Sequence, residues 1–121
     1  MQISYIGEKM KIHYMKLKPQ PYDLIKVGYK DIEMRLNDEK RQAINPGDII
    51  EFTNTESGEI IKVIVLNKHN FKSFTELYNA FDKTRLGYSQ NEIATPEDME
   101  KYYPVDEIAI NGVVGIEIQL I

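Results

Sequence analysis

Between Met10 and Leu17 apolar and polar residues alternate, with Met10, Ile12 and Tyr14 set against Lys11 and His13. Met15 and Leu17 then reverse the phase. A period of two predicts a strand, and the reversal predicts a bulge or an end buried on both faces. Pro19 and Pro21 permit a helix start, and Tyr22, Leu24, Ile25 and Val27 recur at helical spacing, so residues 20–27 read as two turns. Gly28 follows as the C′ residue, free to take positive φ and reverse the chain. Period two returns after it, with Ile32, Met34 and Leu36 on one side and Asp31, Glu33 and Arg35 on the other. Residues 37–44 are polar, a loop with room for a helical turn.

Asn45-Pro46-Gly47-Asp48 is a turn in which proline presets φ and glycine supplies the reversal. It feeds a strand at Ile49–Thr53. A hairpin loop at residues 54–58 leads into a β-branched strand from Glu59 to Asn67. Ser73 with Glu76 makes a capping box for a helix whose apolar face is Phe74, Leu77, Tyr78 and Phe81. Residues 82–91 read as a loop. Thr95-Pro96-Glu97-Asp98 opens another helix, which runs to about Tyr103 and stops at Pro104. Asn111-Gly112 introduces a last strand, Val113 to Leu120. The order β-α-β-β-β-α-α-β predicts an α+β domain: a small, curled mixed sheet or partly closed barrel with two to three short flanking helices.

Composition narrows the function classes. At 121 residues, 42% hydrophobic and 28% charged, the chain is one globular domain, read as a lead-in over residues 1–9 and a single unit over residues 10–121. It contains no cysteine, which excludes disulfides, thiolate metal sites and cysteine nucleophiles. His13 and His69 lack metal-ligand spacing, so neither a metal nor another cofactor is expected. No apolar run approaches the roughly 20 residues of a membrane span, and no secretion signal is visible, so a cytoplasmic location is expected. A net charge of −4 disfavours coating of long polyanions and leaves room for a local basic pocket.

The segment Gly28-Tyr29-Lys30-Asp31-Ile32-Glu33-Met34-Arg35 carries the candidate chemistry. One reading makes Glu33 and Arg35 a solvated pair on an exposed strand face, worth under about 1 kcal/mol. The other makes Lys30, Glu33 and Arg35 a small polar pocket, in which Arg35 orients Glu33 from the same strand face and Lys30 joins from the turn. The dipole of the preceding helix favours a charged Lys30, whereas a nucleophile or base needs its pKa depressed. Tyr29 and Tyr88 are candidates to stack a base, or to pack on the barrel. Lys40 and Arg41 add positive charge to a cleft rim, or are simply solvated. Ser57 and Ser89 have no histidine pattern to activate them.

Gly28, Lys30, Glu33 and Arg35 match the G-x-K-x-x-E-x-R motif, and on these residues the chain resembles the ASCH domain family of the PUA-like superfamily. The helix before Gly28, the Pro46-Gly47-Asp48 turn, the Ser73–Phe81 helix with Leu86-Gly87, and the Gly112–Ile118 strand extend the resemblance over roughly residues 10–121. The resemblance implies a PUA-like β-barrel with the motif on a cleft rim, and RNA or a nucleotide-like molecule as partner. It also implies a second reading. Small members hydrolyse the acyl amide of N4-acetylcytidine with a Lys, Thr and Glu set. The lysine falls on Lys30, the threonine position is Glu33 here, and the second-half glutamate falls on Glu92. RNA cleavage is a variant of that reading. A protein-interaction adaptor is a third, and the lack of a large exposed apolar stripe counts against it.

Overall fold

The computed structural model describes residues 10–121, so the lead-in read over residues 1–9 lies outside the described residues. The elements are β1 (Ile12–Leu17), α1 (Pro19–Lys26), β2 (Ile32–Leu36), α2 (Glu39–Gln42), β3 (Ile49–Asn54), β4 (Ile60–Phe71), α3 (Phe74–Ala80), α4 (Glu97–Glu100), α5 (Val105–Asn111) and β5 (Val113–Leu120). The five strands form one mixed sheet in the order β1-β3-β4-β5-β2. Only β1 and β3 pair in parallel; the other neighbours are antiparallel.

Local chemistry starts and stops these elements much as the pattern predicts. α1 ends in a Schellman motif: the Tyr29 N–H donates to the Leu24 carbonyl, the Gly28 N–H donates to that of Ile25, and Gly28 has φ of 81°. Ser73 caps α3, its hydroxyl accepting from the Glu76 N–H. Three elements depart from the pattern. β4 continues to Phe71, four residues past the predicted end, across a bulge between Val65 and Asn67. Pairing with β5 sustains that polar stretch, and the bulge bends the strand, which curls the sheet. α4 stops at Glu100, short of the expected Tyr103, and Pro104 caps a further helix, α5, which the pattern missed because Val105 and Ile110 are exposed and mark no buried face.

The curled sheet has two cores. On the concave side Met15, Leu17, Ile50, Phe52, Val63 and Ile116 pack against Tyr22 and Ile25 of α1. On the convex side Ile32, Met34 and Val113 pack against Phe74 and Leu77 of α3. Register fixes the orientation of β2 between them. Glu33 lies opposite Ile116 and Arg35 opposite Val114, so their side chains share the concave face with the first core. The polar face of β2 therefore points into the half-barrel.

The open edges of the sheet are β1 and β2, and curling brings them face to face. The Arg35 Nη2 on β2 donates to the Lys16 carbonyl on β1 across 2.9 Å. One side chain thus bridges a seam that no strand among the described residues closes.

Candidate functional site: a polar cleft at the barrel seam

Lys30, Glu33 and Arg35 meet at this seam. Arg35 donates from Nε to Glu33 Oε2 at 2.7 Å, and the Lys30 ammonium lies 3.5 Å from Glu33 Oε1. Glu33 is only 5% exposed and the Arg35 side chain 17%, so the solvated-pair reading does not describe them, and Lys30 is as buried as Glu33. Arg35 meets Glu33 on the strand face they share. Lys30 precedes β2 and escapes its alternation, so it reaches Glu33 from the turn.

Each charge is shifted by its setting. Burial pushes the Lys30 ammonium below the usual lysine range, and the Glu33 charge offsets this only in part. That effect outweighs the helix-dipole argument, because the ammonium sits in the protein interior rather than at the solvated end of α1. Its N–H donors are engaged: Nζ donates to the Ile32 carbonyl at 2.7 Å and to the Leu86 carbonyl at 3.0 Å, and the third direction is Glu33. Burial alone would raise Glu33, but Arg35 first and then Lys30 outweigh it and hold the carboxyl below its ordinary value. Arg35 is raised: burial works against its charge and is outweighed by Glu33.

This leaves a definite set of unused groups. Among the described residues, Nη1 of Arg35 has no hydrogen-bond partner, and Nη2 makes only the Lys16 bond. Glu33 Oε1, held among the described residues by the longer Lys30 contact alone, keeps acceptor capacity. A free cationic donor therefore stands beside a free anionic acceptor, at the base of a cleft of about 790 Å³.

The cleft is lined by β1, β2, α1, the 86–92 loop and the 98–103 segment. Five cations (Lys16, Lys18, Lys30, Arg35, Lys101) and three acids (Glu33, Glu92, Asp98) line it, a local positive excess in a chain of net charge −4. The loop is held by the site itself. Leu86 gives its carbonyl to Lys30, and Gly87, with φ of 108°, lies so close that a Cβ there would sit 3.2 Å from Lys30 Cδ. Arg85 fixes the loop from outside through a two-point bond to Asp31, at 2.8 and 3.1 Å, and a further bond to Glu117.

The other sequence candidates divide. Tyr88 lines the cleft, with its hydroxyl bonded to Tyr78 at 2.8 Å and to Asp98 at 2.7 Å. Burial and both bonds push that hydroxyl far above the ordinary tyrosine value. Glu92 lines the cleft too, exposed, with Oε1 accepting from the Ser89 N–H. Tyr29 is not among the lining residues; its hydroxyl donates to the Tyr88 carbonyl and braces the loop. Lys40 and Arg41 lie on α2, outside the lining set, and Arg41 bonds Asp38 there. His13 and His69 pair with Asp48 and Glu117. Sequence reasoning passed over Lys16, Tyr78, Asp98 and Tyr102. Of these only Tyr102 lies in a run with a signal, Lys101-Tyr102-Tyr103-Pro104, a cation beside two aromatics.

A five-stranded mixed half-barrel, with its polar cleft at the unclosed seam, defines a PUA-like fold. The ASCH domain profile matches residues 15–121, and the chain belongs to the ASCH domain family. Among solved structures the chain is similar to hypothetical protein PH0355, with 35% identity over 93% of this chain and 100% of that one, and a TM-score of 0.76. It is similar to protein PF0455 from Pyrococcus furiosus, with 33% identity, coverage of 91% and 97%, and a TM-score of 0.66. An ASCH protein variant from Zymomonas mobilis shares the fold at 12% identity, with coverage of 89% and 67% and a TM-score of 0.66. No curated protein matches the sequence.

Proposed function

We propose that the cleft binds RNA or a nucleotide-like ligand, with Arg35 and Glu33 as the contact groups and Lys30 as the internal prop that sets them. The observation that carries this is the pairing of unused Arg35 N–H groups with an under-used Glu33 oxygen on the floor of the cleft. Side by side they offer donors to a carbonyl, ring nitrogen or phosphate and an acceptor to an exocyclic amine, the alternation that a base edge presents. The positive lining supplies the attraction for phosphate. Titration of short RNA and modified nucleosides by calorimetry tests the reading. Arg35→Met is expected to weaken binding by about tenfold or more, the worth of a hydrogen bond to a charged group. Equal affinities of wild type and variant would remove the assignment.

Amide hydrolysis of an acylated nucleoside is the second reading, favoured by the burial that lowers Lys30. Water would add to the acyl carbon, the C–N bond would break, and the amine would take the proton. Glu33 in place of the threonine, and Lys30 donors spent on two carbonyls, weigh against it. Incubation with N4-acetylcytidine and chromatography for cytidine decides it. Release that disappears in Lys30→Met supports hydrolysis, and no release rejects it for this substrate.

A further inference from the structure

Tyr102 is the cleft residue that neither the Glu33 pocket nor the hydrophobic core accounts for. A buried tyrosine would be filling space, but this ring is 52% exposed at the cleft wall. Its position is set by its neighbours. Tyr103 stacks on Phe74 with centroids 6.0 Å apart and planes 17° from parallel, which pins the backbone beside it. The turn continues α4 through hydrogen bonds from Lys101 N to the Glu97 carbonyl and Tyr102 N to the Met99 carbonyl. One tyrosine of the pair is an anchor and the other is presented. Two cations attend the presented ring: Lys18 Nζ and Lys101 Nζ each lie 5.3 Å from its centroid, and both lysines are exposed. They come from opposite ends of the chain, from the residue before α1 and the residue after α4.

A rigid, exposed aromatic face flanked by two ammonium groups has the composition of a stacking platform for single-stranded nucleic acid, where the ring takes a base and the cations take adjacent phosphates. We propose that Tyr102, Lys18 and Lys101 form a second subsite, which takes the nucleotide next to the one held at Arg35 and Glu33. The ligand of the cleft is then a strand of at least two nucleotides, not a free nucleoside. On binding, a base replaces an ammonium on the ring face, and the displaced lysine turns to the phosphate. This rests on the reading of the cleft as a nucleotide site, and the two are separable.

The test compares a mononucleotide with a trinucleotide RNA on wild type, Tyr102→Ala, Tyr102→Phe and Arg35→Met. In wild type the trinucleotide is expected to bind about tenfold more tightly than the mononucleotide, the gain from stacking one base. Tyr102→Ala is expected to abolish that gain while leaving mononucleotide affinity unchanged, and Tyr102→Phe, which keeps the ring, to restore it. Mononucleotide binding that depends on Arg35, with no gain for the trinucleotide, would overturn the subsite and leave the pocket reading intact. A gain that survives Tyr102→Ala would do the same. Trinucleotide binding that depends on Tyr102 but not on Arg35 would keep the subsite and remove the pocket assignment. No binding of either RNA by wild type would overturn both.

Discussion

Glu33 stands between two cations in a space that water barely enters, and that arrangement sets the consequences of changing each member. Losing Glu33 leaves two positive charges buried at close range without a counter-ion. Losing Lys30 leaves the Arg35–Glu33 pair neutral and strands two carbonyls, those of Ile32 and Leu86. Breaking a buried pair costs about 3–5 kcal/mol, and an unsatisfied carbonyl about 1–3. Glu33→Gln and Lys30→Met are therefore each expected to destabilise the fold by about 3–5 kcal/mol, by urea denaturation at pH 7. A loss well under about 1 kcal/mol for Glu33→Gln would mean that Arg35 is neutralised by something other than Glu33. The motif made these three residues conspicuous, but their spacing did not reveal that the ammonium is spent internally and the guanidinium is not. That division depends on Leu86, 56 residues away from Lys30 along the chain.

At the scale of elements, the turn before β3 shows how a local signal acquires a tertiary use. Asn45-Pro46-Gly47-Asp48 was legible as a turn, and Gly47 takes φ of 92° there. Its last residue does more than close the turn. The buried Asp48 carboxylate accepts from the backbone N–H groups of Asn45 and Lys11 and pairs with His13 at 2.8 Å, tying β3 to β1. Burial would raise its pKa, but these partners prevail and hold it low. A carboxyl lowered in the folded state contributes stability that is fully present above its unfolded value, about 3.9, and is lost as pH falls through the folded value. Asp48→Asn is expected to cost about 1–2 kcal/mol at pH 7. It should also flatten the acid limb of a stability–pH curve measured by thermal melting. An unchanged acid limb would show that other carboxyls carry it. The polar end of β4 was not legible in the same way, since Lys68, His69 and Asn70 become strand only through pairing with β5.

Across the whole molecule the cleft is a consequence of incomplete closure. Five strands curl until β1 faces β2, and among the described residues the seam between them holds one guanidinium, a space of about 790 Å³ and a rim of lysines. The sign of the cleft opposes that of the chain, which limits how many phosphates it can hold. Each phosphate contact on a single strand contributes a slope of about −0.7 to log K against log salt. With Lys18 and Lys101 as the phosphate contacts, short RNA is expected to give a slope of about −1.4. A much steeper slope in a salt titration by fluorescence anisotropy would mean that cations beyond Lys18 and Lys101 contact the RNA phosphates. No helix among the described residues is long and apolar enough to cross a membrane.

The sequence by itself determined most of the elements, because their signals are local. Proline and glycine act on their own φ, caps act within four residues, and alternation writes a strand's two faces directly. It also determined the family, since Gly28, Lys30, Glu33 and Arg35 lie in one short run. Only the tertiary structure decided which face of β2 was inside. Alternation separates Ile32, Met34 and Leu36 from Glu33 and Arg35, but it cannot say that both sets are buried, one under α3 and the other inside the curl. The energy that settles the matter comes from partners at Lys16, Leu86 and Ile116, brought near only when the sheet bends.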